Sequence, residues 1–309
     1  MSDINFPQGL YELIDAYDGF IIDQWGVLHN CNETFKLAVD TLNQLKKNQK
    51  EVIILSNSAR RSADNVERLK KMGFKPSHYL DIVTSGEVTW HGLNEKTEMP
   101  FKTLGNKCYL ICKDEDYSLL TGLKIERVRD IEDADFILIT GFDNPDVKLD
   151  YFEKEFKKAV VKHIPVICAN PDMVTVNGVI KTIAPGMIAT KYHEMGGTVH
   201  YIGKPNKLIF RYCLKQFKHI IPSRILVIGD SIKYDIAGAA NTDLDSLFIT
   251  SGIHNTEFKN CKTEEELRRA MMRMSSLYGG ITPNYVMPQL LWQTKEAAIE
   301  ERNRMKNSI

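Results

Sequence analysis

The sequence predicts an α/β protein built on an open parallel sheet, and three observations carry that prediction. Short apolar runs recur along the 309 residues, helical patterns fall between them, and the runs do not alternate apolar with polar residues. Uninterrupted apolarity is what strands covered on both faces by helices show. Strand and helix in alternation then call for right-handed crossovers within one sheet.

Taken in order, the predicted strands are FIID at 20–23, EVIILSN at 51–57, KCYLIC at 107–112, DFILIT at 135–140, PVICAN at 165–170, RILVIGD at 224–230 and DSLFIT at 245–250. Most end in small or polar residues. Between them TFKLAVDTLNQLKKN (34–48), SADNVERLKKMGF (62–74), YFEKEFKKAVVKH (151–163) and KLIFRYCLKQF (207–217) have helical periodicity, with Ser62 or Asp64 available to cap the second. Toward the end EEELRRAMMRMSSLYGG (264–280) and PQLLWQTKEAAIEERNRMK (288–306) also read as helical. Their Met and Leu stripes at helical spacing are expected to face a core. TSGEV at 84–88 and the pair Gly196 and Gly197 are read as joints between domains, because glycine absorbs backbone rotation cheaply.

A chain this long, 43% hydrophobic, suits one large or two medium domains. Lysine plus arginine and aspartate plus glutamate each total 40, so the formal charge is zero and nothing calls for nucleic acid or an anionic membrane as partner. The amino-terminal stretch lacks the basic and apolar pattern of a leader, and no run of about 18 apolar residues occurs, so a cytoplasmic protein is expected. The six cysteines, Cys31, Cys108, Cys112, Cys168, Cys213 and Cys261, are scattered without C-x-x-C or zinc spacing and are expected as thiols in a reducing compartment.

In open α/β sheets ligands bind beyond the carboxyl ends of the strands, so the residues that end the runs matter most. Those are Asp23, Ser56 with Asn57, and Asp230, joined by Lys204 at the end of VHYIGKP (199–205). Singly, each has an ordinary alternative: an aspartate caps a helix, a serine or asparagine makes a turn, a lysine is solvated. In this order they suit phosphoryl transfer through an aspartyl phosphate. A carboxylate approaching a phosphate dianion is repelled unless Mg²⁺ neutralises both, and Mg²⁺ takes carboxylate, phosphate and water oxygens. Asp23 and Asp230 supply carboxylates, and Asp235, in GDSIKYD, can ligate or hold a metal-bound water. The Ser56 hydroxyl and nearby N–H groups can donate to the transferring oxygens, with the Lys204 ammonium as a point charge. No organic cofactor is needed.

The run D-x-W-G-V-L at 23–28, L-S-N-S-A-R at 55–60, G-K-P at 203–205 and G-D-S-I-K-Y-D-I-A-G-A at 229–239 resembles the four motifs of the haloacid dehalogenase superfamily. More narrowly it resembles class II subfamily A, the nitrophenyl phosphate, nucleotide and phosphoglycolate phosphatases, and within it a subgroup whose first motif reads D-x-W-G-V-L-H. The V-L after Gly26, Asn57 after Ser56, and C-A-N-P-D at 168–172 favour that branch. The resemblance implies a Rossmann-like core of residues 1–85 and 199–309 and an inserted α/β cap of residues 86–198. It implies Asp23 as nucleophile, Ser56 and Lys204 on the phosphate, and Asp23, the Trp25 carbonyl, Asp230 and Asp235 around Mg²⁺. Gly26, Asn57, Ser58, Asn170, Pro171 and Asp172 would lie against a small phosphorylated metabolite. For Asn170, Pro171 and Asp172 a turn that caps a helix is the open alternative. A homo-oligomer is left open.

One position departs from the pattern. Family phosphatases carry a second aspartate two residues after the nucleophile, as leaving-group acid and then base for water; here that residue is Trp25. A backbone carbonyl survives the change, but indole has no usable proton, and general acid/base catalysis contributes roughly 10²–10⁴ in rate. The expectation is a hydrolase for leaving groups that need no proton, such as acyl or aryl phosphates, or one rescued by His29, whose alternative is a residue without a role. A dehalogenating activity, whose halide also leaves unprotonated, fits less well with an α/β cap. The competing class is a weak or inactive binding protein that keeps Mg²⁺ and phosphate binding.

Overall fold

The computed structural model describes residues 4–30, 33–142, 149–177 and 180–293. The strands are β1 Gly19–Asp23, β2 Glu51–Ser56, β3 Asp81–Thr84, β4 Lys107–Ile111, β5 Glu126–Val128, β6 Phe136–Ile139, β7 Val166–Cys168, β8 Val174–Asn177, β9 Ile180–Ile183, β10 Val199–Tyr201, β11 Ile225–Gly229, β12 Asp245–Ile249 and β13 Tyr285–Met287. The α-helices are α1 Lys36–Lys47, α2 Ser62–Lys71, α3 Ser85–Glu95, α4 Glu153–Val161, α5 Pro185–Glu194, α6 Lys207–Gln216, α7 Ala237–Asn241, α8 Asn255–Phe258 and α9 Glu264–Leu277. A six-stranded sheet runs β13-β12-β11-β1-β2-β3 and a five-stranded one β10-β7-β6-β4-β5, with β8 and β9 as a separate antiparallel pair. Each apolar run of the sequence is a strand, and the pairs along the second sheet are all parallel.

Packing divides the chain into two compact units: Met1–Leu55, Glu67–Ile82 and Phe210–Ile309 form one, Ser56–Val66 and Val83–Ile209 the other. In the first, every residue of β1 and β11 is buried, as expected for central strands covered on both faces. Thr263 Oγ1 accepts from the Glu266 N–H while the Glu266 carboxylate accepts from the Thr263 N–H, a reciprocal cap that starts α9. Its buried face, Ala270, Met271 and Met274, packs with Ile232, Ile236, Phe248 and Phe258, so this methionine stripe is core. Residues 288–293 are irregular rather than helical, and the remainder of the expected terminal helix lies outside the described residues.

In the second unit Phe152, Phe156, Ile188 and Tyr192 pack against Ile137, Ile139 and Val166. Strand β10 pairs with β7 in this sheet. Residues 84–88, read from the sequence as a joint, end β3 and begin α3: Thr84 Oγ1 accepts from the Glu87 N–H at 2.9 Å. The start of α2 is satisfied from outside it, the Glu87 carboxylate accepting from the Ser62 N–H at 2.9 Å while gripping Arg61 through both oxygens at 2.8 and 2.9 Å. Gly196, at φ 94, supplies a left-handed residue in the turn from α5 to β10. None of the five described cysteines is in a disulfide. Burial pushes the Cys108 and Cys168 thiols up to about 12, which leaves them unreactive. Cys31 lies outside the described residues.

Candidate active site

Neighbouring strands β1 and β11 run parallel with Ile22 opposite Ile228, which places Asp23 level with Gly229 and one residue short of Asp230. Two carboxylates therefore leave the same edge of the sheet side by side. Asp235 joins them through the backbone that follows. Residues Ile232–Ile236 form one π-helical turn, in which the Ser231 carbonyl accepts from both the Asp235 N–H (2.9 Å) and the Ile236 N–H (3.2 Å) before α7 begins. Asp235 Oδ2 in turn accepts from the Ser231 N–H at 3.1 Å, and Ser231 Oγ accepts from the Tyr234 N–H at 3.2 Å.

The result is a cluster in which Asp23, Asp230 and Asp235 each offer an oxygen within 4.8 Å of the others. All three are buried, Asp235 to 1% exposure. At that spacing like charges repel one another, so the arrangement suits a small divalent cation with hard oxygen ligands. The surroundings are cut to fit. Asp230 Oδ2 accepts from the Ile253 N–H at 2.7 Å. Gly26 has φ +82, and a Cβ there would lie 1.9 Å from Asp230 Oδ2; one on Gly252 would lie 2.0 Å from the same atom, and one on Gly229 would lie 2.1 Å from the Asp235 carboxyl carbon. Only glycine admits the backbone this near to carboxylates.

Between Asp23 and the next helix the chain folds into a tight turn. The Gly26 N–H donates to the His29 carbonyl at 2.8 Å, the Leu28 N–H to the Gln24 carbonyl at 3.0 Å, and Trp25 bridges His29. His29 is 1% exposed, and its Nε2 lies 3.2 Å from Gln24 Nε2. Burial, with Arg68 adding to it, lowers its pKa to about 4. The imidazole is neutral at neutral pH and has no acidic imidazolium proton to give a leaving group there.

The remaining candidates lie in the second unit and are knitted together. Asn57 Oδ1 accepts from the Lys204 N–H at 2.7 Å and from Ser85 Oγ at 3.5 Å, and Asn57 Nδ2 donates to Asp172 Oδ1 at 2.8 Å. The Ser56 hydroxyl accepts from the Ser58 N–H at 3.2 Å. Asn170 Oδ1 accepts from the Asp172 N–H at 2.9 Å, an Asx turn through Pro171 whose next residues lead into β8, not into a helix. Beside them a cavity of about 520 Å³ is lined by Ser58, Arg60, Lys113, Asp116, Phe142 and Asn170 among others. Its size suits a metabolite and its walls mix charge with apolar surface. The charged walls Lys113 and Asp116 carry no motif and were not singled out from the sequence.

A family described as haloacid dehalogenase-like hydrolase matches residues 20–126, and one described as HAD-hydrolase-like matches residues 201–272. A 5'-nucleotidase, YutF, of Bacillus subtilis (strain 168) is 21% identical over 251 residues, 78% of this chain and 90% of its own length. A hydrolase of the haloacid dehalogenase-like family from Brucella suis 1330 superposes with a TM-score of 0.76 at 26% identity, covering 93% of this chain and 100% of that one. A 4-nitrophenylphosphatase from Thermotoga maritima superposes at 0.66 with 23% identity, covering 91% and 97%.

Proposed function

We propose that this chain, which belongs to the haloacid dehalogenase-like hydrolases, is a Mg²⁺-dependent phosphatase of small phosphorylated metabolites that carries the phosphoryl group on Asp23. The observation behind it is the buried carboxylate cluster of Asp23, Asp230 and Asp235. The nitrophenylphosphatase and nucleotidase activities of its relatives support the substrate class.

A Mg²⁺ ion held by Asp23, Asp230, Asp235 and the Trp25 carbonyl would neutralise charge between nucleophile and phosphate. In the first step an Asp23 oxygen attacks phosphorus, the bond from phosphorus to the leaving oxygen breaks, and the leaving group departs with the electron pair. Ser56 and Lys204 hold the transferring oxygens as charge builds on them. In the second step water attacks the aspartyl phosphate, releasing inorganic phosphate and restoring the Asp23 carboxylate. Trp25 offers no proton to the departing oxygen, and His29 is neutral and bonded to Gln24. Leaving groups that depart as stable anions are therefore preferred, and the Ser58, Asn170, Pro171 and Asp172 region would read them.

Hydrolysis of 4-nitrophenyl phosphate, acetyl phosphate and glycerol phosphate, each with Mg²⁺ and with chelator, tests this. The first two should turn over only with Mg²⁺, and the third about 10²-fold or more slowly. Hydrolysis of none of the three with Mg²⁺ present overturns the assignment. Equal rates on all three overturn the leaving-group preference.

A further inference from the structure

We propose that Asn57 is a positioning residue for Lys204, and that Asp172 holds Asn57 in the orientation that does it; the inference rests on the phosphate role of Lys204 given above. Asn57 and Lys204 are 147 residues apart in sequence, yet the Asn57 carbonyl oxygen accepts from the Lys204 N–H at 2.7 Å, with Asn57 5% and Lys204 3% exposed. A buried backbone N–H must find an acceptor, so the position of the Lys204 backbone follows the position of that oxygen. Gly203 lies flush against the same group: a Cβ there would meet Asn57 Oδ1 at 2.4 Å, Ser85 Oγ at 2.5 Å and Pro171 Cδ at 2.5 Å. The strand end that carries Ser56 and the segment that carries Lys204 are thereby joined through one amide.

An amide can be turned over, and only one orientation presents the oxygen to Lys204. Asp172 selects it. Its Oδ1, 2.8 Å from Asn57 Nδ2, accepts a hydrogen bond and cannot donate one when ionised. Ser85, at 3.5 Å from Asn57 Oδ1, backs the same orientation. Asp172 is in turn tied to Asn170, which lines the neighbouring cavity. A chain of hydrogen bonds thus leads from a wall of that cavity through Asp172 and Asn57 to the lysine.

The test is a mutant cycle on Mg²⁺-dependent 4-nitrophenyl phosphate hydrolysis. Asn57→Asp keeps an oxygen for the Lys204 N–H but sets a carboxylate against Asp172, and it should lower kcat about 10–100-fold, the scale for losing a supporting hydrogen-bond partner, with KM changed less. Adding Asp172→Asn restores a donor and acceptor with roles reversed and should recover most of that loss. In a Lys204→Ala background Asn57→Asp should cost little more, because both act through one group. Full multiplicative losses in that background, or no recovery in the double variant, overturn the positioning role. Lys204→Ala with unchanged kcat overturns instead the phosphate role on which it rests. Thermal unfolding of each variant is followed in parallel, and Asn57→Ser enters the same cycle should Asn57→Asp not fold.

Discussion

Asp18 and Asp23 stand just before and at the end of the same strand and show what a carboxylate does in two surroundings. Asp18 meets opposite charge: its oxygens pair with Arg224, and with Lys50 at 2.8 Å, at the points where β11 and β2 begin. Asp23 meets like charge, the buried carboxylates of Asp230 and Asp235. One end of β1 is arranged for the folded protein as it stands. The other gathers carboxylates close enough to share a cation, which is how sites tuned for function differ from the scaffold that carries them.

The largest test of that contrast is Asp23→Asn. Under the proposed mechanism this substitution should reduce Mg²⁺-dependent turnover by about 10⁴-fold or more, measured as 4-nitrophenol release, while the fold survives. A variant as fast as the parent would mean that Asp23 is simply a second structural carboxylate. Next in size is Trp25→Asp, which returns an acid to the turn beside the cluster. It should raise the rate on glycerol phosphate by about 10²-fold and change the rate on 4-nitrophenyl phosphate little, since nitrophenolate leaves without a proton. A fall on both substrates would show that the turn is built around the indole.

How much of this was visible in the chain depends on the range of the forces involved. The strands announced themselves wherever four or more apolar residues ran together, as in β1, β2 and β11. Strand β5 did not, because Glu126–Val128 is short and largely solvent-facing, nor did β13, whose three residues follow a loop. Helix α3 was concealed by two glycines and a polar, weakly striped sequence; it forms because Thr84 caps it and Gly86 fits under the Ala59 carbonyl, a contact set by the fold. The cluster was legible in part, since each carboxylate closes or follows a strand. The burial of His29 against Gln24 was not, because it arises from a turn whose hydrogen bonds no residue pattern encodes. The tie between Asn57 and Lys204 crosses too much sequence to leave a local trace.

A smaller effect separates the two ends of β1 by stability alone. Asp235→Asn removes one charge from the cluster while leaving an oxygen for the Ser231 N–H. In metal-free protein it should raise the thermal midpoint by about 2–4 °C, corresponding to roughly 1 kcal/mol of relieved repulsion, and it should reduce the further rise that Mg²⁺ produces. A lower midpoint without metal would show that the cluster is already compensated and would remove the contrast with Asp18.

The smallest effect belongs to Asp18 itself. Hydrogen bonds from Arg224 and then Lys50 hold its carboxyl well below the usual range, but the side chain is 38% exposed, so water screens much of the interaction. Asp18→Asn should lower the thermal midpoint at pH 7 by only about 2 °C and leave kcat unchanged. The pH dependence carries the sign. A carboxylate with a depressed folded-state pKa stabilises above its unfolded value, near 4, and that contribution fades as pH falls through the folded value. The gap between parent and variant should therefore be constant from pH 6 to 8 and shrink below about pH 4, because the parent alone loses the paired charge. A gap that persists undiminished at pH 3 would assign the loss to packing at the strand's amino end, and charge pairing would no longer distinguish Asp18 from Asp23.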